Sequence, residues 1–273
     1  MIDSGKTIEY KNSRLHYAKS GSGATPLLLF HGFGQHAGIF HNWTPTLSET
    51  FTLYSFDLFF HGKSSWQEHD PLEKSEWKHI MAVFLKQESL AEFAVAGFSL
   101  GGKFAMVTLE CFPERVKQLF LLAPDGIKTS LWYSLATYPV ATRSLFKSMI
   151  KKPARFFWLI KMARKLNLVD KGIIRFVENQ MNTEEKRAQV YNSWVFFRHM
   201  KVELDALSYL INKQGIPVTM IVGKFDKVIV AENMKLLLDK LVNKELFILE
   251  AVHNDLIRNS VQLISCLTKQ DSE

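Results

Sequence analysis

The chain has 273 residues, is 47% hydrophobic and 22% charged, and carries a formal net charge of +7 at neutral pH. That length and balance allow a full hydrophobic core and exclude a disordered or fibrous chain. Its two cysteines, Cys111 and Cys266, give neither a disulfide framework nor a metal-binding spacing; both stand in apolar helical contexts, are expected to be core thiols, and suit a reducing compartment.

The opening stretch, MIDSGKTIEYKNSR, lacks the apolar segment of a secretory signal, and nowhere is there a run of about 18 apolar residues that would span a membrane. A soluble, cytoplasmic protein is the expectation. Thr7 to Ser20 alternates as a hairpin does, with Asn12-Ser13 as its turn, before the Gly21-Ser22-Gly23 connection. Pro26 to Phe30 is short and wholly apolar, like a strand covered on both faces, and ends at His31-Gly32-Phe33-Gly34. Phe51 to Phe56 is a second such strand, closing on Asp57, a side chain suited to holding the following loop through backbone amides. Apolar residues at helical spacing (Trp77, Ile80, Met81, Phe84, Leu85) mark a helix over Leu72 to Glu88.

Phe93 to Gly102 reads FAVAGFSLGG, an apolar strand that delivers Ser99 onto a sharp turn, and helical sequence follows from Leu100 to Cys111, stopped by Pro113. A strained strand-to-helix turn leaves room only for small neighbours, which Gly97 and Gly101 supply. The helix N-terminus then favours negative charge developing near the serine. Val116 to Ala123 is another buried strand, ending at Pro124-Asp125-Gly126. From Ile127 to Lys201 the strand–helix alternation stops; the segment is helical in pattern, aromatic, basic, and broken at Pro139 and Pro153. Alternation resumes with the strand Ile216 to Gly223, a helix over Val230 to Leu241, the strand Glu245 to Leu249 and a helix over Asn254 to Leu267. Strands alternating with helices predict a mostly parallel, doubly wound α/β sheet.

Gly97-Phe98-Ser99-Leu100-Gly101 between a buried strand and a helix resembles the nucleophile elbow of the α/β-hydrolase superfamily. His31-Gly32-Phe33-Gly34 resembles that family's oxyanion loop, and Asp57 to Ser64 its Asp-x-x-Gly-x-Gly-x-Ser loop, with Phe60 where a glycine is usual. The resemblance implies the α/β-hydrolase fold, with residues 1–126 and 202–273 as the core and 127–201 as a helical lid inserted after the sixth strand. It implies an oxyanion hole formed by the amides of Phe33 and Leu100, while His31 is read as a structural histidine. A serine hydroxyl needs a base to take its proton and a third group to orient the base. Only His199 and His253 follow Ser99, and His253 lies just past the last strand, where the family places its base, although Val252 precedes it instead of glycine. Gly223-Lys224-Phe225-Asp226 matches the family's Gly-x-x-Asp turn, which makes Asp226 the acid, with Asp125 as the competitor. Asp255 is read as a cap of the last helix.

The function expected is a serine hydrolase that cleaves a carboxylic ester or thioester through an acyl-serine intermediate, using Ser99, His253 and Asp226. Two alternatives use the same fold. One is a C–C bond hydrolase or a lyase like the menaquinone-pathway synthase, which carries an arginine where Lys103 stands here; the other reading of Lys103 is a solvated surface lysine. The second is a non-catalytic ligand receptor. No cofactor, metal or nucleic-acid partner is expected. Residues 127–201 hold 15 Lys and Arg against 4 Asp and Glu, so the basic character belongs to this segment. Within it, Pro153 to Leu168 predicts an amphipathic helix: Phe156, Trp158, Leu159, Ile160, Met162, Ala163 and Leu166 on one face, Lys161, Arg164 and Lys165 opposite. Besides a small-molecule or lipid-like ester substrate, such a helix points to an anionic membrane surface as partner.

Overall fold

The computed structural model describes residues 5–129, 131–165 and 181–270, without the side chains of Trp132, Ala163, Arg164 and Gln270. Its centre is an eight-stranded sheet in the order β1-β2-β4-β3-β5-β6-β7-β8. The strands are β1 Lys6–Tyr10, β2 Ser13–Ser20, β3 Thr25–Phe30, β4 Phe51–Phe56, β5 Phe93–Phe98, β6 Val116–Leu122, β7 Val218–Gly223 and β8 Lys244–Leu249. β1 and β2 form an antiparallel ribbon joined antiparallel to β4, and every later pairing is parallel. The α/β-hydrolase fold expected from the sequence is the fold observed.

Burial follows from that topology. β5 and β7 are buried at every position, as strands are when helices cover both faces of a parallel sheet. α1 (Thr44–Leu47) follows a 3-10 turn over Ala37–Trp43. α2 (Lys74–Gln87) buries the predicted stripe Trp77, Ile80, Met81, Phe84 and Leu85 and opens with a capping box between Glu73 and Glu76. α3 (Leu100–Cys111) is buried from Leu100 to Leu109, so close packing there depends on the small residues Gly101, Gly102 and Ala105. Phe30 joins the two helices to the sheet, its ring 5.7 Å from Trp77 and 6.4 Å from Phe104.

Between β6 and β7 the chain forms a separate helical unit, residues 129–199 together with 70–72. Among the described residues its helices are α4 (Leu131–Thr137), α5 (Val140–Lys151), α6 (Pro153–Lys165) and α7 (Glu184–Phe196). Phe146 of α5 packs 5.3 Å from Tyr191 and 5.8 Å from Trp194 of α7. The buried Arg187 donates to the carbonyls of Ile150 and Met181. The chain then returns through α8 (Leu204–Gln214), α9 (Lys235–Leu238) and α10 (Leu256–Gln270).

Several expectations shift. The hairpin turn is Lys11-Asn12, one residue earlier than expected, with Lys11 at φ +51°. Ser13 is held in its strand because its hydroxyl bonds Glu68 and the amide of Gln67. Val230 to Leu241 is a 3-10 turn over Ala231–Met234 followed by the single turn of α9. Cys266 is exposed and Cys111 only partly buried, so neither is the core thiol expected. The apolar stripe of α10 runs through Ile257, Val261 and Ile264, and Cys266 falls off it. The α6 stripe also divides: Phe156 is buried, while Trp158, Leu159 and Met162, with Phe157, are exposed. Leu166 and the side chains of Ala163 and Arg164, also expected on that helix, lie outside the described residues. Among the described residues no helix is long and apolar enough to cross a membrane.

Candidate active site

Ser99 occupies the turn between β5 and α3 with φ 50° and ψ −118°, a backbone conformation that non-glycine residues adopt only under restraint. The restraint is visible in its neighbours. A Cβ on Gly97 would lie 2.3 Å from the Gly101 carbonyl oxygen, and one on Gly101 would lie 2.0 Å from the Phe30 oxygen. The Ser99 amide donates to Leu122 O at 3.0 Å, and Ser99 O accepts from the amides of Gly102 and Asp125, each at 2.8 Å. The end of β6, the loop that follows it and the first turn of α3 thus pin the turn. Leu100, the first helical residue, supplies one of the first-turn amides that find no acceptor inside a helix.

His253 and Asp226 come from the loops after β8 and β7. Nδ1 of His253 lies 2.6 Å from Oδ2 of Asp226. The other carboxylate oxygen accepts from the amides of Val228 and Ile229 at 2.8 and 2.9 Å. Every position of the carboxylate is therefore prescribed, and both residues are buried. The His253 ring packs 4.8 Å from that of Phe98, the residue before Ser99. His31 is held between its own bond to Gly32 O, 2.7 Å, and the Leu58 amide, 3.0 Å.

Asp125 goes elsewhere. Its carboxylate lies 3.1 Å from Nζ of Lys103 and accepts from the Gly126 amide at 2.8 Å. Lys103 is buried, with 7% of its surface exposed, so the reading as a solvated surface lysine is overturned. The reason is the depth of α3, which leaves even its cationic position inside. Four-residue spacing from Ser99 marked Lys103 in the sequence, but nothing in it joined Lys103 to Asp125.

The loop carrying Phe33 rests on partners the sequence did not reveal. The Gly32 amide donates to the Gln35 side chain at 3.0 Å, and a Cβ on Gly32 would meet the Phe98 ring at 2.9 Å. The Phe33 ring stands edge-on to His61 at 5.4 Å, and His61 to His31 at 5.2 Å. Burial pushes His31 down to about 3, assisted by the nearby His61, and burial lowers His61 to about 4. Both rings are therefore neutral at physiological pH. Asp57 braces the same region, accepting from the amides of Ala37 (2.6 Å) and Lys63 (2.8 Å) and meeting Nδ1 of His16 at 2.9 Å.

A family model described as "alpha/beta hydrolase fold" matches residues 25–259. Among curated relatives, a pimeloyl-[acyl-carrier protein] methyl ester esterase of Nitrosomonas europaea is 32% identical over 120 residues, 43% of this chain and 45% of that protein. A (lyso)-N-acylphosphatidylethanolamine lipase of Bos taurus is 36% identical over 106 residues, 37% of this chain and 31% of the relative. The matched stretch thus spans less than half the length of either relative. Among solved structures, a thermophilic esterase from Thermogutta terrifontis superposes with a TM-score of 0.70 at 15% identity, covering 98% of both chains. A membrane phospholipase A described as a bacterial virulence factor gives 0.67 at 18% identity, covering 98% of this chain and 86% of that one. Identities this low carry the fold alone.

Proposed function

The chain belongs to the α/β-hydrolase fold family, and from that membership we propose that it is a serine hydrolase cleaving a carboxylic ester or thioester through an acyl-serine intermediate. The observation that carries the reading is the buried contact of His253 Nδ1 with Asp226, its imidazole packed on the residue that precedes the strained Ser99. With Nδ1–H donating to the carboxylate, Nε2 is the ring nitrogen left to take the serine proton. Ser99 Oγ then attacks the carbonyl carbon while the amides of Phe33 and Leu100 stabilise the oxyanion. His253 returns the proton to the leaving alcohol or thiol, and water, activated by the same ring, releases the acid. Residues 1–126 and 202–273 form the catalytic core in this reading, and 127–201 the lid.

The relatives' printed activities, a methyl ester esterase and a phospholipid lipase, support a substrate among small-molecule or lipid-like esters. The lyase reading drew on Lys103 standing where that synthase type carries an arginine; Lys103 meets Asp125, which supports Asp226 rather than Asp125 as the acid. The exposed aromatic face of α6, where Phe157 and Trp158 stand beside Arg155 and Lys161, supports contact with an anionic membrane surface. The chemistry is tested with p-nitrophenyl esters of increasing acyl length and their thioester counterparts. Turnover that disappears in Ser99→Ala is the expected result; undiminished turnover in that variant rejects the acyl-serine route.

A further inference from the structure

The contact of Lys103 with Asp125 has no part in the acyl-serine chemistry, yet both residues adjoin Ser99. Lys103 lies one turn into α3, and helical side chains lean toward the helix N-terminus, which here is the serine end. Its ammonium meets Oδ2 of Asp125 at 3.1 Å. Asp125 in turn reaches the serine through its backbone, its amide donating at 2.8 Å to Ser99 O, the oxygen that also takes the Gly102 amide. Oδ1 of Asp125 accepts from the Gly126 amide at 2.8 Å. The loop lies tight on α3: a Cβ on Gly102 would stand 2.3 Å from Cβ of Pro124, and one on Gly126 would stand 3.4 Å from Cβ of Lys103. The contacts close a circuit. One turn of helix joins Ser99 to Lys103, the ion pair joins Lys103 to Asp125, and the Asp125 amide returns to Ser99.

We propose that Lys103 is a positioning residue for the nucleophile, holding Ser99 in its strained conformation through Asp125; the inference rests on the reading of Ser99 as nucleophile. A serine at φ 50° persists only where its surroundings over-determine it. Ala123, two residues before Asp125, is a second non-glycine residue at positive φ, +37°. Strained backbone therefore stands on both chain segments that the circuit ties together. Stability by itself does not account for a lysine here, because a buried ammonium gives up its hydration and an apolar side chain would pack on α3 without that cost. What the charge adds is direction: it fixes where the Asp125 carboxylate sits, and so keeps the loop down on α3 with the Asp125 amide on the Ser99 carbonyl. Lys103 is buried and the Asp125 side chain is 40% exposed, so the lysine is the fixed member and the loop the member it secures.

Labelling of the full chain with a fluorophosphonate tests this, since the probe phosphonylates the serine oxygen with loss of fluoride and reads that oxygen's reactivity without an acyl group to bind. Lys103→Met, folded by circular dichroism, is expected to label about tenfold or more slowly, with kcat for a p-nitrophenyl ester falling alike and KM within about threefold. Lys103→Arg keeps a cation for Asp125 and is expected to label within about threefold of the native rate. Asp125→Ala opens the circuit from its exposed side and slows labelling by a similar factor, whereas Asp125→Asn keeps an oxygen for Lys103 and for the Gly126 amide. Lys103→Met combined with Asp125→Ala is expected to be no slower than the slower single variant, because both cut one circuit. A native labelling rate in Lys103→Met, even with a lowered melting temperature, overturns the proposal. So do losses that multiply in the double variant, or a Lys103→Arg chain as slow as Lys103→Met. Where Lys103→Met does not fold, a native rate in Asp125→Ala overturns it instead. A native chain whose probe is not found on Ser99 by mass spectrometry overturns the nucleophile reading and this inference with it.

Discussion

Two carboxylates near Ser99 and His253 point to different partners. Asp226 meets the imidazole of His253 and two backbone amides, while Asp125 meets an ammonium. Asp226→Asn is therefore expected to lower kcat by about a hundredfold or more, because the amide no longer favours the tautomer with Nδ1–H. Asp125→Asn removes the carboxylate from beside the buried Lys103, and its loss is expected in melting temperature with far less in kcat. Steady-state kinetics beside thermal denaturation separate the two, and the reverse ranking in kcat moves the acid to Asp125. Ser99→Ala and His253→Ala are each expected to cost about three to six orders of magnitude in ester turnover, and the double variant no more than either alone, since members of such a unit fail together. Native circular dichroism with lost activity is the pattern to look for.

Among elements, the loop after β4 and the loop after β3 are fastened by neutral histidines. His31 and His61 are buried with acidities pushed to about 3 and about 4, whereas an unfolded histidine titrates near 6.5. In acid the unfolded chain takes up protons that the folded chain refuses, so stability rises with pH in that interval. The contribution is complete above about 6.5 and is lost as pH falls toward 4 and then 3. Urea titrations at a series of pH values should show this slope, and His61→Gln should flatten its upper part. An unchanged slope in that variant would mean that His61 takes up its proton in the folded state as readily as in the unfolded one.

Across the whole molecule, charge is unevenly distributed: the segment from Ile127 to Lys201 is strongly basic and the remainder is net acidic. That asymmetry and the exposed Phe157, Trp158, Leu159 and Met162 of α6 predict co-sedimentation with anionic but not neutral vesicles. Binding should decline as salt shortens the electrostatic reach to about 8 Å at physiological ionic strength. Charge reversal at Lys161 and Lys165 should weaken it further. Equal binding to both vesicle types would leave the basic segment without a membrane role.

Much of this was already written in local pattern. Short apolar runs marked the central strands, helical spacing marked the buried face of α2, and Gly97 and Gly101 marked the turn at Ser99, because steric room at a sharp bend is a property of adjacent residues. Where a side chain ends up relative to distant chain was decided otherwise. Lys103 reads as a surface lysine until α3 is seen to be buried along most of its length, and Cys266 reads as a core thiol until the stripe of α10 is seen to miss it. Trp43 donates to the carbonyl of Ile257, 214 residues away, a contact that no window of sequence contains. The aromatic stripe of α6 was legible as a stripe, but not which part of it would be buried. Periodicity states that residues share a face; only packing between elements far apart in the chain states what that face meets.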